Sequence, residues 1–79
     1  MQAETQLKEL LLTQLHLNES ELRPELSFDD LAVDSLELLE LVVAIEDAFD
    51  IRLDEAQLAA CATLAEAAEL IMEKYREQV

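Results

Sequence analysis

The chain has 79 residues, a formal net charge of −14 and an apolar fraction of 52%. Its length predicts a single domain, residues 1–79, with no room for a cofactor domain beside an enclosed catalytic cleft. Gly is absent and Pro occurs once, which disfavours hairpin turns and predicts an all-α fold. The negative charge repels nucleic acid and anionic lipid surfaces, and it favours basic protein partners.

Cysteine and hydropathy patterns indicate the compartment. Cys61 is the single cysteine and cannot form an internal disulfide. No charged leader and no apolar run of about 18 residues is visible, so export and stable membrane insertion are not expected. We expect a cytoplasmic protein that acts as a monomer. Its apolar content is too high for a disordered acidic tail.

The first helix and the segment after it have different patterns. Leucines at helical spacing predict an amphipathic helix from about Ala3 to His16. From Leu17 to Val33, polar residues and Pro24 interrupt that period and predict a long loop. Loops of this length are commonly functional, and this one leads to Ser35. The apolar residues expected to anchor it are Leu22, Leu26, Phe28 and Leu31.

The second helix is predicted from about Ser35 to Phe49. Asp34 and Glu37 fit an N-cap and its reciprocating acid. Helical periodicity then divides the apolar residues between two sides. The core side is assigned Leu38, Leu41, Val42, Ile45 and Phe49, with Leu39 at its edge. The other side carries Leu36 and Val43 among Glu37, Glu40 and Asp47. That pattern fits either a docking face or a solvated face with two stray apolar residues.

Two further caps predict the remaining helices. Asp54 with Gln57 indicates a short third helix through about Ala60. Thr63 and Glu66 have capping-box spacing, and an apolar stripe follows to the C-terminus. The predicted fold is a small four-helix bundle with a short third helix and a long loop between helices 1 and 2.

Catalytic and metal-binding patterns are missing. His16, the only histidine, ends the first helix and is expected to cap it or lie on the surface. Cys61 has no cationic neighbour to favour a thiolate and is expected to be a small core residue. Asp29, Asp30 and Asp34 lack the spacing of a calcium loop. Neither an enzyme nor a metal site is therefore expected.

The run from Phe28 to Ile51 carries the most informative motif. It contains Asp34-Ser35-Leu36, with Phe-x-x-Leu upstream and Glu-x-x-Phe-Asp-Ile downstream in register. These motifs resemble those of the acyl carrier proteins, in particular the discrete bacterial ones. The similar length and acidity extend the resemblance over nearly the whole chain. The resemblance implies that a phosphopantetheinyl transferase moves 4′-phosphopantetheine from coenzyme A onto Ser35. It also implies that the arm's thiol carries acyl groups as thioesters.

The residues around the motif agree with that role. A phosphate on Ser35 would meet amide N–H groups that lack intrahelical partners, at the positive end of a helix. Asp34 would cap that helix and add charge beside the attachment site. The implied partners are the transferase and acyl-transfer, synthase or ligase enzymes with basic docking patches. The residues predicted to be recognised by these partners are Leu36, Glu37, Glu40, Val43 and Asp47.

The chain departs from the fatty-acid carriers at three places. It has Ala32-Val33 where they commonly have Gly and a following residue, no Pro before Asp54, and a bulky Leu38. These departures leave the pathway open between fatty-acid synthesis and a specialised lipid or polyketide route. A peptidyl or aminoacyl carrier and an unmodified acidic adaptor for a basic protein are the alternatives. An acyl pocket or a simple packed core could be formed by Leu39, Val42, Leu58 and Leu64.

Overall fold

The computed structural model describes residues 2–78, and all regular structure in that range is helical. Four helices follow in order: α1 (Ala3–Leu15), α2 (Ser35–Phe49), α3 (Glu55–Ala59) and α4 (Leu64–Gln78). The predicted all-α class, the short third helix and the long loop before α2 are confirmed. None of the helices in the described range combines the length and apolar character needed to cross a bilayer.

The core forms where α2 packs against its neighbours. α1 contacts both α2 and α4, and α2 also contacts α3. Ile45, Leu58 and Ile71, from three different helices, have no exposed surface. The predicted core side of α2 is confirmed, since each of its five assigned residues is buried: Leu38, Leu41, Val42, Ile45 and Phe49.

Leu39 is the exception, because its side chain is 47% exposed. Its assignment to the edge of the core was wrong. Leu39 and Val43 are four residues apart and therefore share one helix surface, and Val43 is 50% exposed. Leu39 thus lies with the outward-facing apolar residues rather than with the core.

Helix ends differ slightly from their predicted positions. α1 ends at Leu15, because His16 adopts a left-handed conformation with φ 58°. The Leu17 N–H donates to the Leu12 carbonyl at 2.9 Å, which closes the turn in the way typical of helix C-termini. The last residue of α3 is Ala59, one residue before the predicted end.

The predicted N-terminal caps of α3 and α4 are both present, but some of their hydrogen-bond partners differ from those predicted. Asp54 Oδ1 accepts from the Ala56 N–H at 2.9 Å. At the start of α4, Thr63 Oγ1 accepts from the Glu66 N–H at 3.2 Å. The Glu66 carboxylate reaches back to the Ala62 N–H at 3.1 Å, one residue earlier than a standard capping box requires.

The long loop is tied to the first turn of α4. The Leu26 carbonyl accepts from the Leu64 N–H at 2.7 Å, and the Pro24 carbonyl accepts from the Ala65 N–H at 3.0 Å. These bonds satisfy amides that have no partner inside α4. The predicted anchors are confirmed: Phe28 is buried, and the partly buried ones packed against the core are Leu22, Leu26 and Leu31.

Candidate functional site

Ser35 is the first residue of α2, and its side chain is exposed. The preceding residue, Asp34, has extended backbone angles and caps the helix. Its Oδ1 accepts from the Glu37 N–H at 2.8 Å, and Glu37 Oε1 accepts from the Asp34 N–H at 3.2 Å. The predicted reciprocal cap is therefore present, and it fixes the direction in which Ser35 leaves the loop.

A tight turn delivers the chain to this cap. The Val33 N–H donates to the Phe28 carbonyl at 3.0 Å, and the Ala32 N–H donates to the Asp29 carbonyl at 3.0 Å. This pair of bonds is the Schellman pattern, which requires a left-handed residue at its next-to-last position. Ala32 occupies that position with φ 58°. The turn therefore reverses the chain just before Asp34.

Ala32 is strained because its Cβ is unfavourable in left-handed backbone. The non-glycine residues with positive φ in the described range are His16, Ala32 and Asp50, and each follows a helical turn. Asp and His tolerate this region better than Ala does. Ala32 stands where the fatty-acid carriers commonly have Gly, and it is the long-loop residue described with positive φ.

Asp30 has a structural role in the same turn. Its Oδ2 accepts from the Ser27 N–H at 3.0 Å, and its own N–H donates to Ser27 Oγ at 3.0 Å. Both groups are therefore used within the loop. Across residues 2–78, no group of three or more His, Cys, Asp or Glu side chains is arranged to hold a metal ion.

The exposed surface of α2 begins beside Ser35. Leu36 is 64% exposed, and with Leu39 and Val43 it makes up the exposed large apolar residues of the described range. The carboxylates of Glu40 and Asp47 are exposed among them. We call Leu36, Leu39 and Val43 with Glu37, Glu40 and Asp47 the outer face of α2. Leu39 was not predicted to lie on this face, although its four-residue spacing to Val43 indicated it.

Among the described residues, no ion pair joins a Lys or Arg side chain to the outer face of α2. Lys8 Nζ bonds Glu19 Oε1 at 2.6 Å, and Arg23 lies 4.0 Å from Glu25. Both pairs are exposed and lie on other segments of the described chain. The hydrogen bond from Lys8, together with its charge, lowers the pKa of Glu19 below its ordinary value. These ion pairs therefore do not offset the negative charge of the outer face of α2, which can attract basic molecules.

Cys61 and His16 are not paired as nucleophile and base in the structure. Cys61 is half-buried at the edge of the core rather than inside it, and its Sγ lies 3.5 Å from the Gln57 carbonyl oxygen. Burial, and secondarily the charge of Glu66, raises the pKa of the Cys61 thiol. His16 is exposed and lies beside the outer face of α2. A protonated thiol is a poor nucleophile.

The four residues considered for an acyl pocket are divided between the core and the surface. Val42, Leu58 and Leu64 are buried in the core, whereas Leu39 is on the surface. An apolar cleft of about 350 Å³ lies instead between α1, the long loop and α4. Of the four candidates, Leu64 alone lines it. The other apolar residues of the cleft include Leu7, Leu11, Leu22 and Met72.

A hydroxyl held at the start of a capped helix, next to an apolar surface rimmed by carboxylates, suits a protein that carries a group between partners. The contacts a shuttle makes must form quickly and release easily, and small apolar patches with charged rims have that property. The fold and the site therefore define a carrier domain.

Comparison with known families identifies the kind of carrier. The family described as "phosphopantetheine attachment site" matches residues 5–71. Because this match spans most of the 79 residues, the chain belongs to that family. Its carrier domains are not catalysts, bind 4′-phosphopantetheine covalently, and generally interact with phosphopantetheinyl transferases and synthase enzymes. The carrier class predicted from the sequence is confirmed.

Proposed function

We propose that Ser35 carries the 4′-phosphopantetheine arm and that the protein is an acyl carrier. In this role it holds acyl intermediates as thioesters for fatty-acid synthesis or for a specialised lipid or polyketide pathway. The observation that carries the proposal is the position of Ser35, exposed at the first residue of α2 and next to the outer face of that helix.

The other serines support this choice. The chain has three, and all lie within the matched range. Ser20 Oγ donates to Asn18 Oδ1 at 2.7 Å inside a turn. Ser27 Oγ accepts from the Asp30 N–H at 3.0 Å and helps to stabilise the long loop before α2. Ser35 is the serine that starts a long helix, and it is the one in the Asp-Ser-Leu motif.

The site fits a phosphodiester. In the first turn of α2, the N–H groups of Ser35 and Leu36 have no intrahelical acceptor, and the positive helix end is close. These features offset part of the repulsion between a new phosphate and a chain of charge −14. The carboxylate of the preceding residue, Asp34, accepts a hydrogen bond from the Glu37 N–H and acts as a positioning residue.

Attachment is a phosphoryl transfer in which the protein supplies the nucleophile. Ser35 Oγ forms a bond to the pantetheine-bearing phosphorus of coenzyme A, the anhydride bond to the second phosphate breaks, and adenosine 3′,5′-bisphosphate leaves. The hydroxyl proton passes to the transferase or to water. When bound, the arm supplies a thiol that holds acyl groups as thioesters.

Partner recognition is proposed for the outer face of α2. Leu36, Val43 and now Leu39 offer a small apolar contact, while Glu37, Glu40 and Asp47 attract basic patches on transferase, acyl-transfer, synthase or ligase enzymes. Dense acidity favours an acyl carrier over a peptidyl or aminoacyl one. The monomeric state and cytoplasmic location stay predictions from the sequence.

Intact-mass measurement tests the attachment site. The apo-protein is incubated with coenzyme A, magnesium and a broad-specificity phosphopantetheinyl transferase. We expect one pantetheinyl adduct on the wild type and on the matched variant Ser20→Ala, and none on Ser35→Ala. An adduct on Ser35→Ala would move the site elsewhere.

A wild type that accepts no adduct would support the adaptor alternative, in which the outer face of α2 binds a basic protein without any arm. Mass spectrometry of protein from its native cells separates the remaining carrier types. A fatty or polyketide acyl thioester supports the proposal, whereas an aminoacyl thioester would identify a peptidyl-type carrier.

A further inference from the structure

A groove runs between the last turn of α1 and the outer face of α2. Its volume is about 750 Å³, and it is open to solvent. Thr13 and Gln14 from α1, and His16 just after its end, form the wall opposite α2. The groove exists because α1 packs against the core side of α2 and ends beside its outer face.

The groove has an apolar part that is exposed to solvent. Leu39 and Val43 line it, and about half of each side chain is exposed. Two of the three exposed large apolar residues in the described range thus lie in one concavity. Scattered exposed apolar residues need no explanation, but a pair in a groove is a feature of contact surfaces.

The charges of the groove determine which partner fits. Glu37, Glu40 and Asp47 line its α2 side, and none of its lining residues within 2–78 is a Lys or Arg. The last turn of α1 holds no basic residue, so the negative end of that helix adds to the carboxylates. An arginine or lysine side chain is complementary to this groove, because its methylene stem covers apolar surface while its cation binds carboxylates.

We infer that this groove binds a partner segment bearing arginine or lysine, so that the docking surface includes the α1 residues Thr13 and Gln14. The inference rests on the proposed carrier function and extends its recognition site from one helix to two. A partner approaching Ser35 places its basic segment across α2 and against the end of α1. Docking on α2 alone would leave the α1 wall without effect.

Two pairs of variants test the α1 wall. Gln14 lines the groove, whereas Gln6, on the same helix and also exposed, does not. Gln14→Lys and Gln6→Lys change the net charge equally, as do Gln14→Glu and Gln6→Glu. Each change is made in the Ser35→Ala background, and the affinity for a broad-specificity phosphopantetheinyl transferase is measured by calorimetry at low and high salt. This readout does not require transfer of the arm.

At low salt, Gln14→Lys should weaken binding by about tenfold and Gln14→Glu should strengthen it by about threefold. Both effects should shrink at high salt, and both Gln6 variants should stay within about twofold of their parent. The opposite signs separate a docking effect from damage to the fold. Equal behaviour of Gln14 and Gln6 variants would overturn the inference.

The outcomes also separate this inference from the proposed function. If wild-type Ser35 is modified but the Gln14 and Gln6 variants bind alike, the carrier proposal stands and the two-helix groove is refuted. If the wild type takes no arm but Gln14 still controls binding, the groove stands without the carrier proposal. Absence of both modification and binding would refute both.

Discussion

Ala32 has left-handed backbone, φ 58°, two residues before the helix cap Asp34. We expect Ala32→Gly to stabilise the protein by about 1 kcal/mol, because Gly removes the steric cost of Cβ at positive φ. The midpoint of urea unfolding, followed by circular dichroism, should rise.

The control for Ala32 is Ala48→Gly. Ala48 is exposed in the last turn of α2, where the backbone is still helical and Gly should cost up to about 1 kcal/mol instead. The two Ala-to-Gly changes should therefore shift the unfolding midpoint in opposite directions. A shift in the same direction would contradict the strain assigned to Ala32.

Cys61 should react slowly with alkylating reagents. Its thiol pKa is raised by burial, and the thiolate is the reactive form, so the reactive fraction at neutral pH is lower than for an ordinary cysteine. We expect iodoacetamide to modify the apo-protein more slowly than N-acetylcysteine, with the rate rising as pH approaches the raised pKa. Intact mass against time measures both.

In holo-protein the same property makes the arm's terminal thiol the first to be alkylated. Cys61→Ser should leave that first adduct unchanged and remove only the slow second one. Loss of the fast adduct in Cys61→Ser would show that Cys61 is the reactive thiol.

At the scale of the helix, Asp34 determines where α2 begins. Asp34→Ala removes the acceptor for the Glu37 N–H and should cost about 1 kcal/mol, which lowers Tm by about 4–8 °C in a domain of this size. Asp34→Asn keeps an acceptor oxygen and should stay near the wild type. Thermal unfolding compares the two.

The matched control for this cap is Asp54→Ala, which removes the N-cap of the five-residue helix α3. It should lower stability without slowing transfer to Ser35, whereas Asp34→Ala should do both. If Asp34→Asn proves as unstable as Asp34→Ala, the negative charge rather than the hydrogen bond would be the stabilising feature.

At the scale of the whole molecule, total charge and local charge have separable effects. Reversing Glu40 and Asp47 to Lys on the outer face of α2 should slow arm transfer by about tenfold at low salt. The loss should shrink as salt shortens the Debye length from about 30 Å at 0.01 M to about 3 Å at 1 M. Transferase kinetics by intact mass give the rates.

The same change of net charge placed on α4 is the control. Glu69 and Glu73 are exposed there, and their reversal to Lys should alter transfer much less. Equal slowing by both pairs would mean that the partner senses only the overall charge of −14.

Local patterns were sufficient to predict most of the fold. The cap at Asp34 and the bounds of α2 depend on residues within one helical turn, so Asp34 and Glu37 could be assigned from spacing alone. The core side of α2 followed from apolar periodicity, and Phe28 was expected to anchor the long loop because it is one of the few apolar residues there. Ser35 as a candidate followed from its motif, and the family match supports the carrier class.

Tertiary packing decided what local patterns leave open. Leu39 lies on the edge between two helix surfaces, and it is exposed because of where the neighbouring helices pack. The groove between Gln14 and α2 needs residues far apart in sequence, as do the bonds from α4 to Leu26. Helix caps and periodicity act over a few residues and were readable from the chain, whereas exposure and concavity depend on packing between distant segments.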